Sequence, residues 1–517
     1  MSTVTRLLAA VAALCLAGVS ATASAAGIPL PHDDGFYRYS GNLAAAAPGT
    51  VLGQRSILAQ IAGLVPATAE QLLYRTQDEL GRPSQTVTTV IAPLGAVTGI
   101  VSYLSFYDAL GDVCDPSYTL RGGDPGTESN KQQASVESTL IAALVAQGYA
   151  VTVPDFEGED LHWVAGHESG WSTLDAVRAT EAYLKVPATT KVGLFGYSGG
   201  SIAGEWASEL APTYSPELNI VGTAIGGIPV DLAHNLAYVN GSKTWSGVMP
   251  AALVALGRAF AVDLAPYESA YGQQLAATVA DECIGSFNGA YPGLRIEQLV
   301  KPQYADFVHI PVVTDIVNQL IMGSAPGHPT MPMFMVVGNE DGTGDGVMIA
   351  KDVAALGHEY CDQGVPVQFQ QLTGLDHTKA GLEFFPQGMT YLLARFAGLP
   401  APNGCGAIPP GNSLAPIAKV TPSALNAHRA ARPMLRVTSR GHQDVLRLRV
   451  AHARGAVVAF YRAGRRPLLI GYAVVGRSGR ASATVPDRNG RRLTRYRAVV
   501  EATPGSAGGT SPTVSAR

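Results

Sequence analysis

Cysteine is scarce in this chain: 517 residues hold five, with no C-x-x-C pair and no paired His/Cys spacing. That absence leaves a zinc site without support, and no other metal or cofactor is expected. Long apolar runs are missing as well. Beyond the N-terminal segment nothing sustains about 18 uninterrupted apolar residues, so a soluble mature protein with no transmembrane segment is expected. The C-terminal part is short of acid. From Ile417 onward there are 19 Lys+Arg, 18 of them Arg, against 3 Asp+Glu, a net of +16, whereas the preceding stretch carries −20. Such asymmetry marks a domain boundary. It reads as arginine-biased solvated surface or as a footprint for an anionic surface or polyanion, such as cell-wall polymer or anionic lipid. The aromatic interleaving that single-stranded nucleic acid requires is absent, so no nucleic-acid partner is expected.

The chain opens with Arg6, an apolar run from Leu7 to Val19, and small residues ending in Ala23-Ser24-Ala25. This is the pattern of a secretory signal peptide over residues 1–25, too short to span a bilayer. It implies a secreted, extracellular protein. Cys15 falls inside that leader, and bulky Leu14 before it argues against a lipid-anchored cysteine. Cys114, Cys283, Cys361 and Cys405 remain, an even number that suggests two disulfides with three possible pairings.

The most informative local feature is Gly196-Tyr197-Ser198-Gly199-Gly200. G-x-S-x-G lifts a serine hydroxyl out of a sharp strand-to-helix turn, where glycines on both sides permit close backbone approach. With 58 Gly in the chain, two glycines flank a given serine by chance about once in 80, so context must decide. Here Lys191 to Phe195 reads as a buried strand before the turn, and Ser201 to Leu210 as a helix after it.

Residues 26–408 alternate strand-like and helix-like segments, the pattern of an α/β fold with a mostly parallel sheet covered on both faces. Strands are expected at Thr86–Ile91, Gly99–Phe106, Tyr149–Pro154, Asn219–Ile225, Met333–Val337 and Val365–Gln371. Helices are expected at Ser135–Gln147, Trp171–Lys185, Val353–Cys361 and Phe384–Phe396. The alternation lapses at about residues 230–327, which read as a helical cap inserted over the sheet's carboxyl edge. Residues 409–433 are Pro/Ala-rich and read as a linker. Residues 434–503 hold short alternating runs, suggesting a small, Arg-rich β-sandwich, and residues 504–517 have the composition of a disordered tail.

A serine hydroxyl is a poor nucleophile at neutral pH and needs a base oriented by an acid. In this fold the chain order is Ser, acid, His. His309 falls in the cap, His328 precedes the strand that delivers the acid, and His358 lies within a helix. His377, in the loop after Val365–Gln371, is the favoured base. The acid should follow Met333–Val337. Counting from the strand favours Asp341, and counting back from the next helix favours Asp345; Asp341 is preferred because strand ends fix geometry better than loops. The other aspartate is then expected to cap the following helix. For the developing oxyanion, Gly199 supplies one amide, and Asp108, where a strand meets a loop, is placed to supply the second.

Several ordered blocks resemble the secretory lipases related to fungal lipase A, members of the α/β-hydrolase superfamily. They are Ser102-Tyr103 with Asp108, Cys114-Asp115-Pro116-Ser117-Tyr118, Pro154-Asp155-Phe156-Glu157-Gly158 and Ala165-Gly166-His167-Glu168-Ser169-Gly170. The elbow follows, then Gly226-Gly227 with Pro229, Gly338 to Asp341, and Asp376-His377. The resemblance implies a triad of Ser198, an aspartate and His377, oxyanion amides from Asp108 and Gly199, and disulfides Cys114–Cys283 and Cys361–Cys405. The acid loop is longer than the family's and lacks its Val-Pro. The Arg-rich segment does not resemble the family's active-site flap.

The expected function is therefore triacylglycerol lipase: a secreted serine hydrolase acting on lipid or ester substrates. Short-chain carboxylesterase, polyesterase or acyltransferase activity is the alternative within enzymes. A binding protein that uses the basic C-terminal domain beside a silent hydrolase fold is the alternative outside them.

Overall fold

The computed structural model describes residues 27–61, 65–418, 432–454, 456–464, 467–487, 493–500 and 509–516. The expected signal peptide at 1–25 and most of the expected linker, residues 419–431, lie outside them.

Nine strands form one sheet: β1 (Val51–Ile61), β2 (Val65–Gln77), β3 (Pro83–Ile91), β4 (Ile100–Leu104), β5 (Ala150–Pro154), β6 (Lys191–Tyr197), β7 (Asn219–Gly226), β8 (Met333–Asn339) and β9 (Val367–Thr373). Their order is β1-β2-β3-β5-β4-β6-β7-β8-β9. From β5 to β9 all neighbours run parallel, while β1, β2, β3 and β5 pair antiparallel. The central strands are near-continuous apolar runs buried on both faces, as a parallel sheet between helices requires. Val192 and Leu194 of β6 face a core shared with helices Gly166–Leu184, Gly199–Tyr214 and Ala350–Asp362. Phe195 and Tyr197 face the opposite core, shared with helices Glu128–Ala146 and His377–Phe396. This is the α/β-hydrolase architecture with a sheet covered on both sides.

The expected strands stand within three residues of expectation. Helices Glu128–Ala146, Gly166–Leu184 and His377–Phe396 end within one residue of expectation but begin five to seven residues earlier, and the long β1–β2 hairpin has no counterpart among the expected strands. Only Ala59 of β1 is fully buried, so this edge strand has little of the apolar alternation that marks a strand in sequence. Between β7 and β8 lie helices Leu232–Val239, Val248–Ala259, Ala270–Val279, Ile284–Phe287, Ile296–Leu299 and Pro311–Gln319. They occupy the stretch read as a cap. Disulfides join Cys114 to Cys283 and Cys361 to Cys405; the first ties the loop after β4 to this insertion.

The start of the expected linker is docked rather than free. Asn318 exchanges hydrogen bonds with the backbone of Ile417 at 2.8 and 2.9 Å, and Asn412 donates to Asp352 at 2.6 Å. Beyond it, β10 (Met434–Arg440), β11 (Gln443–Arg449) and β14 (Arg480–Pro486) form one antiparallel sheet in the order β10-β11-β14. β12 (Val457–Arg462), β13 (Leu468–Val474) and β15 (Thr494–Val500) belong to a second. Leu446, Leu448 and Ala481 of the first sheet share a core with Val458, Phe460 and Tyr496 of the second, a small sandwich. The composition of 504–517 predicts disorder, but Gly509–Thr510 and Val514–Ala516 both pair with β15. Backbone pairing on an open edge is indifferent to side-chain composition.

Candidate active site

Ser198 sits at the carboxyl end of β6 with φ 53° and ψ −122°, a backbone conformation that costs a non-glycine residue energy and is tolerated where function needs it. The glycines around it are dictated by proximity. A Cβ on Gly196 would lie 2.3 Å from the Gly200 carbonyl oxygen, and one on Gly200 would lie 2.0 Å from that of Leu104. The turn thrusts the serine hydroxyl outward, where it donates to His377 Nε2 at 2.8 Å. His377 is the first residue of its helix, not a loop residue as expected, and Asp376 caps that helix through Lys379 N at 2.9 Å.

His377 Nδ1 donates to Asp345 Oδ2 at 2.8 Å, and Asp345 is fully buried. The preference for Asp341 is thus corrected: Asp341 is exposed, and its Oδ1 accepts from Thr343 N at 2.8 Å and Gly344 N at 3.0 Å. It closes its own turn and does not cap the helix Ala350–Asp362, whose N-terminus has no side-chain cap. The physical reason is the fold-back of the loop. Ala350 N donates to Thr343 O, Asp345 N donates to Met348 O, and Gly344 bridges Ile349. The inserted residues protrude as a small turn, and Asp345 returns to the end of β8, where its Cβ lies 2.7 Å from where a Gly338 Cβ would be. Val347 N and Met348 N donate to Asp345 Oδ1 at 3.1 and 2.7 Å, fixing the carboxylate.

Asp108 and Gly199 also meet at this point. A Cβ on Gly199 would lie 2.1 Å from Asp108 Oδ1, so the Asp108 side chain, not only its backbone, occupies the place beside Ser198. The Gly199 amide lies beside that carboxylate and favours its ionised form. Burial pushes the Asp108 carboxyl up to about 6, against the lowering effects of Trp163, His377 and the Gly199 amide. Asp108 has φ 40°. Among the described residues no backbone carbonyl accepts from the amide of either Asp108 or Gly199.

Three aromatic residues enter the site that are not among those expected there from the sequence. Trp163 Nε1 donates to Asp108 Oδ1 at 2.6 Å, on a loop where Leu161 and Val164 have φ of 53° and 61°. Tyr197, the variable position of the elbow, donates its hydroxyl to the His377 carbonyl at 2.5 Å and packs its ring 5.0 Å from the imidazole. Trp245 presents an edge to the same imidazole at 5.2 Å. Their pairing depends on tertiary approach, so only the position of Tyr197 inside the elbow could have flagged one of them.

A pocket of about 110 Å³ opens from Ser198, Gly199 and Asp108 into the helical insertion. Its walls are apolar, including Leu236, Val239, Val248, Leu253, Phe307 and Val317. Among the described residues no group of three or more His, Cys, Asp or Glu side chains is placed to hold a metal ion. No helix among them is long and apolar enough to cross a membrane.

A model of the family described as "Secretory lipase" matches residues 126–404. The chain belongs to the secretory lipase family. Among the most similar relatives of this secretory lipase family member is a "Probable inactive lipase" of Mycobacterium tuberculosis. It is 33% identical over 382 residues, covering 72% of this chain and 83% of the relative. A "Secreted triacylglycerol lipase" of Malassezia furfur is 31% identical over 384 residues, with 72% and 80% covered. The X-ray structure of Candida antarctica lipase A superposes with a TM-score of 0.68 at 28% identity, covering 77% of this chain and 93% of that one. The family match ends at residue 404, before the Arg-rich sandwich.

Proposed function

We propose that this chain is a secreted triacylglycerol lipase that works through an acyl-enzyme on Ser198. The observation that carries the reading is the hydrogen-bonded series Ser198, His377, Asp345 at the mouth of an apolar pocket. His377 Nε2 takes the hydroxyl proton as Ser198 Oγ attacks the ester carbonyl carbon. Asp345 holds the Nδ1–H tautomer and stabilises the imidazolium. The amides of Gly199 and Asp108 receive the developing oxyanion. Collapse of the tetrahedral intermediate expels the alcohol, which takes its proton from His377. Water, deprotonated by the same imidazole, then releases the fatty acid and restores Ser198.

An apolar pocket with few polar groups suits an acyl chain, and the secreted triacylglycerol lipase among the relatives supports acylglycerol as the substrate class. The leader at 1–25 and the two disulfides support export. The inactive-lipase name of one relative makes turnover the quantity to measure. Hydrolysis of p-nitrophenyl esters of graded chain length and of emulsified triglyceride tests the reading, with Ser198→Ala as control. Turnover of long chains and emulsion, lost in the variant, is the expected result. Turnover confined to short soluble esters means a carboxylesterase, and no turnover of any ester removes the proposal.

A further inference from the structure

The outward face of the three-stranded sheet in the C-terminal sandwich concentrates positive charge. Alternation along β10, β11 and β14 turns Leu435, Leu446, Leu448 and Ala481 into the core and their neighbours to solvent. Register sets who stands beside whom. Arg436 is paired with Arg447, and Arg449 with both Met434 and Arg480. Arg440 stands on the same face at the far end, and all these arginines are exposed. At the near end a groove is lined by Arg432, Arg449, His452, Arg454 and Arg477.

Among the described residues no acid answers them on that face. Asp444 points into the sandwich, buried, where Ser439 Oγ and Tyr496 OH each donate to it at 2.6 Å. Asp487 follows β14 beside His442, at the opposite end from the groove. Among the described residues no ion pair is found for Arg436, Arg447, Arg449 or Arg480.

Folding supplies no reason for this arrangement, because like charges opposite one another across strands destabilise a sheet. A ligand does. Backbone positions about 5 Å apart across strands and about 7 Å apart along them carry these arginines on one face of the sheet, a spread that suits an extended array of phosphates better than a single small anion. Met434 is 60% exposed in the same row as Arg449 and Arg480, an apolar side chain placed to enter a headgroup layer. We propose that this face is an adsorption surface for an anionic phospholipid layer. It acts independently of the chemistry at Ser198, holding the catalytic body at a lipid surface.

The test uses the full chain without its leader in vesicle sedimentation, comparing phosphatidylglycerol-containing with pure phosphatidylcholine vesicles across a salt series. The variant carries Arg436→Gln, Arg447→Gln, Arg449→Gln and Arg480→Gln. The expected result is binding to anionic vesicles only, falling steeply with salt. At about fivefold per arginine near an anionic surface, the variant, which lacks four, should bind on the order of 600-fold more weakly, with an unchanged or higher melting temperature. Met434→Ser should weaken vesicle binding without changing its salt slope. Anionic vesicles ignored by the wild type, or bound equally by the folded variant, would overturn the proposal. So would tighter binding, per phosphate, to soluble polyphosphate, which would assign the face to a polymer. If the fourfold variant did not fold, the wild-type salt series and the Arg436→Gln/Arg447→Gln pair would decide in the same way.

Discussion

Asp345 and Asp341 differ by four positions in sequence and completely in environment. One is buried against His377 and held by two backbone amides; the other is in solvent, closing a turn. Asp345→Asn should keep the geometry but favour the wrong imidazole tautomer, lowering kcat on the order of 10⁴-fold. Asp341→Asn should leave steady-state kinetics close to wild type, and equal losses in both would rule Asp345 out as the triad acid. Asp108 invites a second test. Ionised, its carboxylate places negative charge beside the point where the oxyanion must form; protonated, it becomes a donor. With its carboxyl pushed up to about 6 by burial, kcat/KM of the wild type divided by that of Asp108→Asn should decline as pH rises through about 6, the rise due to the His377 base cancelling in the ratio. Asp108→Asn cannot ionise there, so pH–rate profiles of both proteins give that ratio, and a flat ratio would remove the role of the Asp108 carboxyl.

At the scale of elements, the site depends on turns that bring backbone unusually close. After β7, Gly227 has φ 60°, and a Cβ there would lie 2.7 Å from His377 Cε1 and 3.0 Å from Tyr197 Cζ. Gly227→Ala should therefore push the imidazole away from Ser198. Misplacement of that order lowers kcat/KM about 100-fold, while stability should drop by about 1–2 kcal/mol, the order expected for a left-handed Ala. Kinetics together with a denaturant midpoint would separate the two effects; a stability loss with normal kinetics would show that the imidazole does not move. The acid loop makes the same point from the other side. Its length was readable, and so was its position after a strand, but only its internal hydrogen bonds reveal that the insertion folds outward and returns Asp345 to the strand end.

For the molecule as a whole, the notable feature is how many carboxyls are buried. Burial pushes Glu137 and Glu168 up to about 7 and Asp175 up to about 6 against the pull of their hydrogen-bond donors. The linkage has a definite sign. A carboxyl raised in the folded state holds its proton where the unfolded chain has lost it, so stability is full below about pH 4 and falls as pH rises through about 6–7. Asp34 works oppositely: burial alone would raise it, but Arg55 and Arg121 hold it below its ordinary value. Melting temperatures should accordingly be higher at pH 5 than at pH 8, and a flat or rising profile would contradict the burial assignments. The predicted loss is one of global stability, distinct from the activity loss tied to Asp108, and Asp108→Asn should leave most of it in place.

The fold class, the elbow at Ser198 and the choice of His377 were readable because local patterns carry them. Buried parallel strands are continuous apolar runs, and a strained turn around a nucleophile admits few residue types besides glycine. Charge segregation likewise separated the Arg-rich sandwich from the body. The acid was not readable to the residue, since two aspartates share one loop and hydrogen bonds across it place one of them inside. Nor were Trp163, Trp245 and the Asp108 carboxyl at the site, or the β1–β2 edge, because contacts between segments distant in sequence leave no periodic trace. Which side chain meets which is set by packing of the whole sheet against its helices, and that is a property of the folded chain alone.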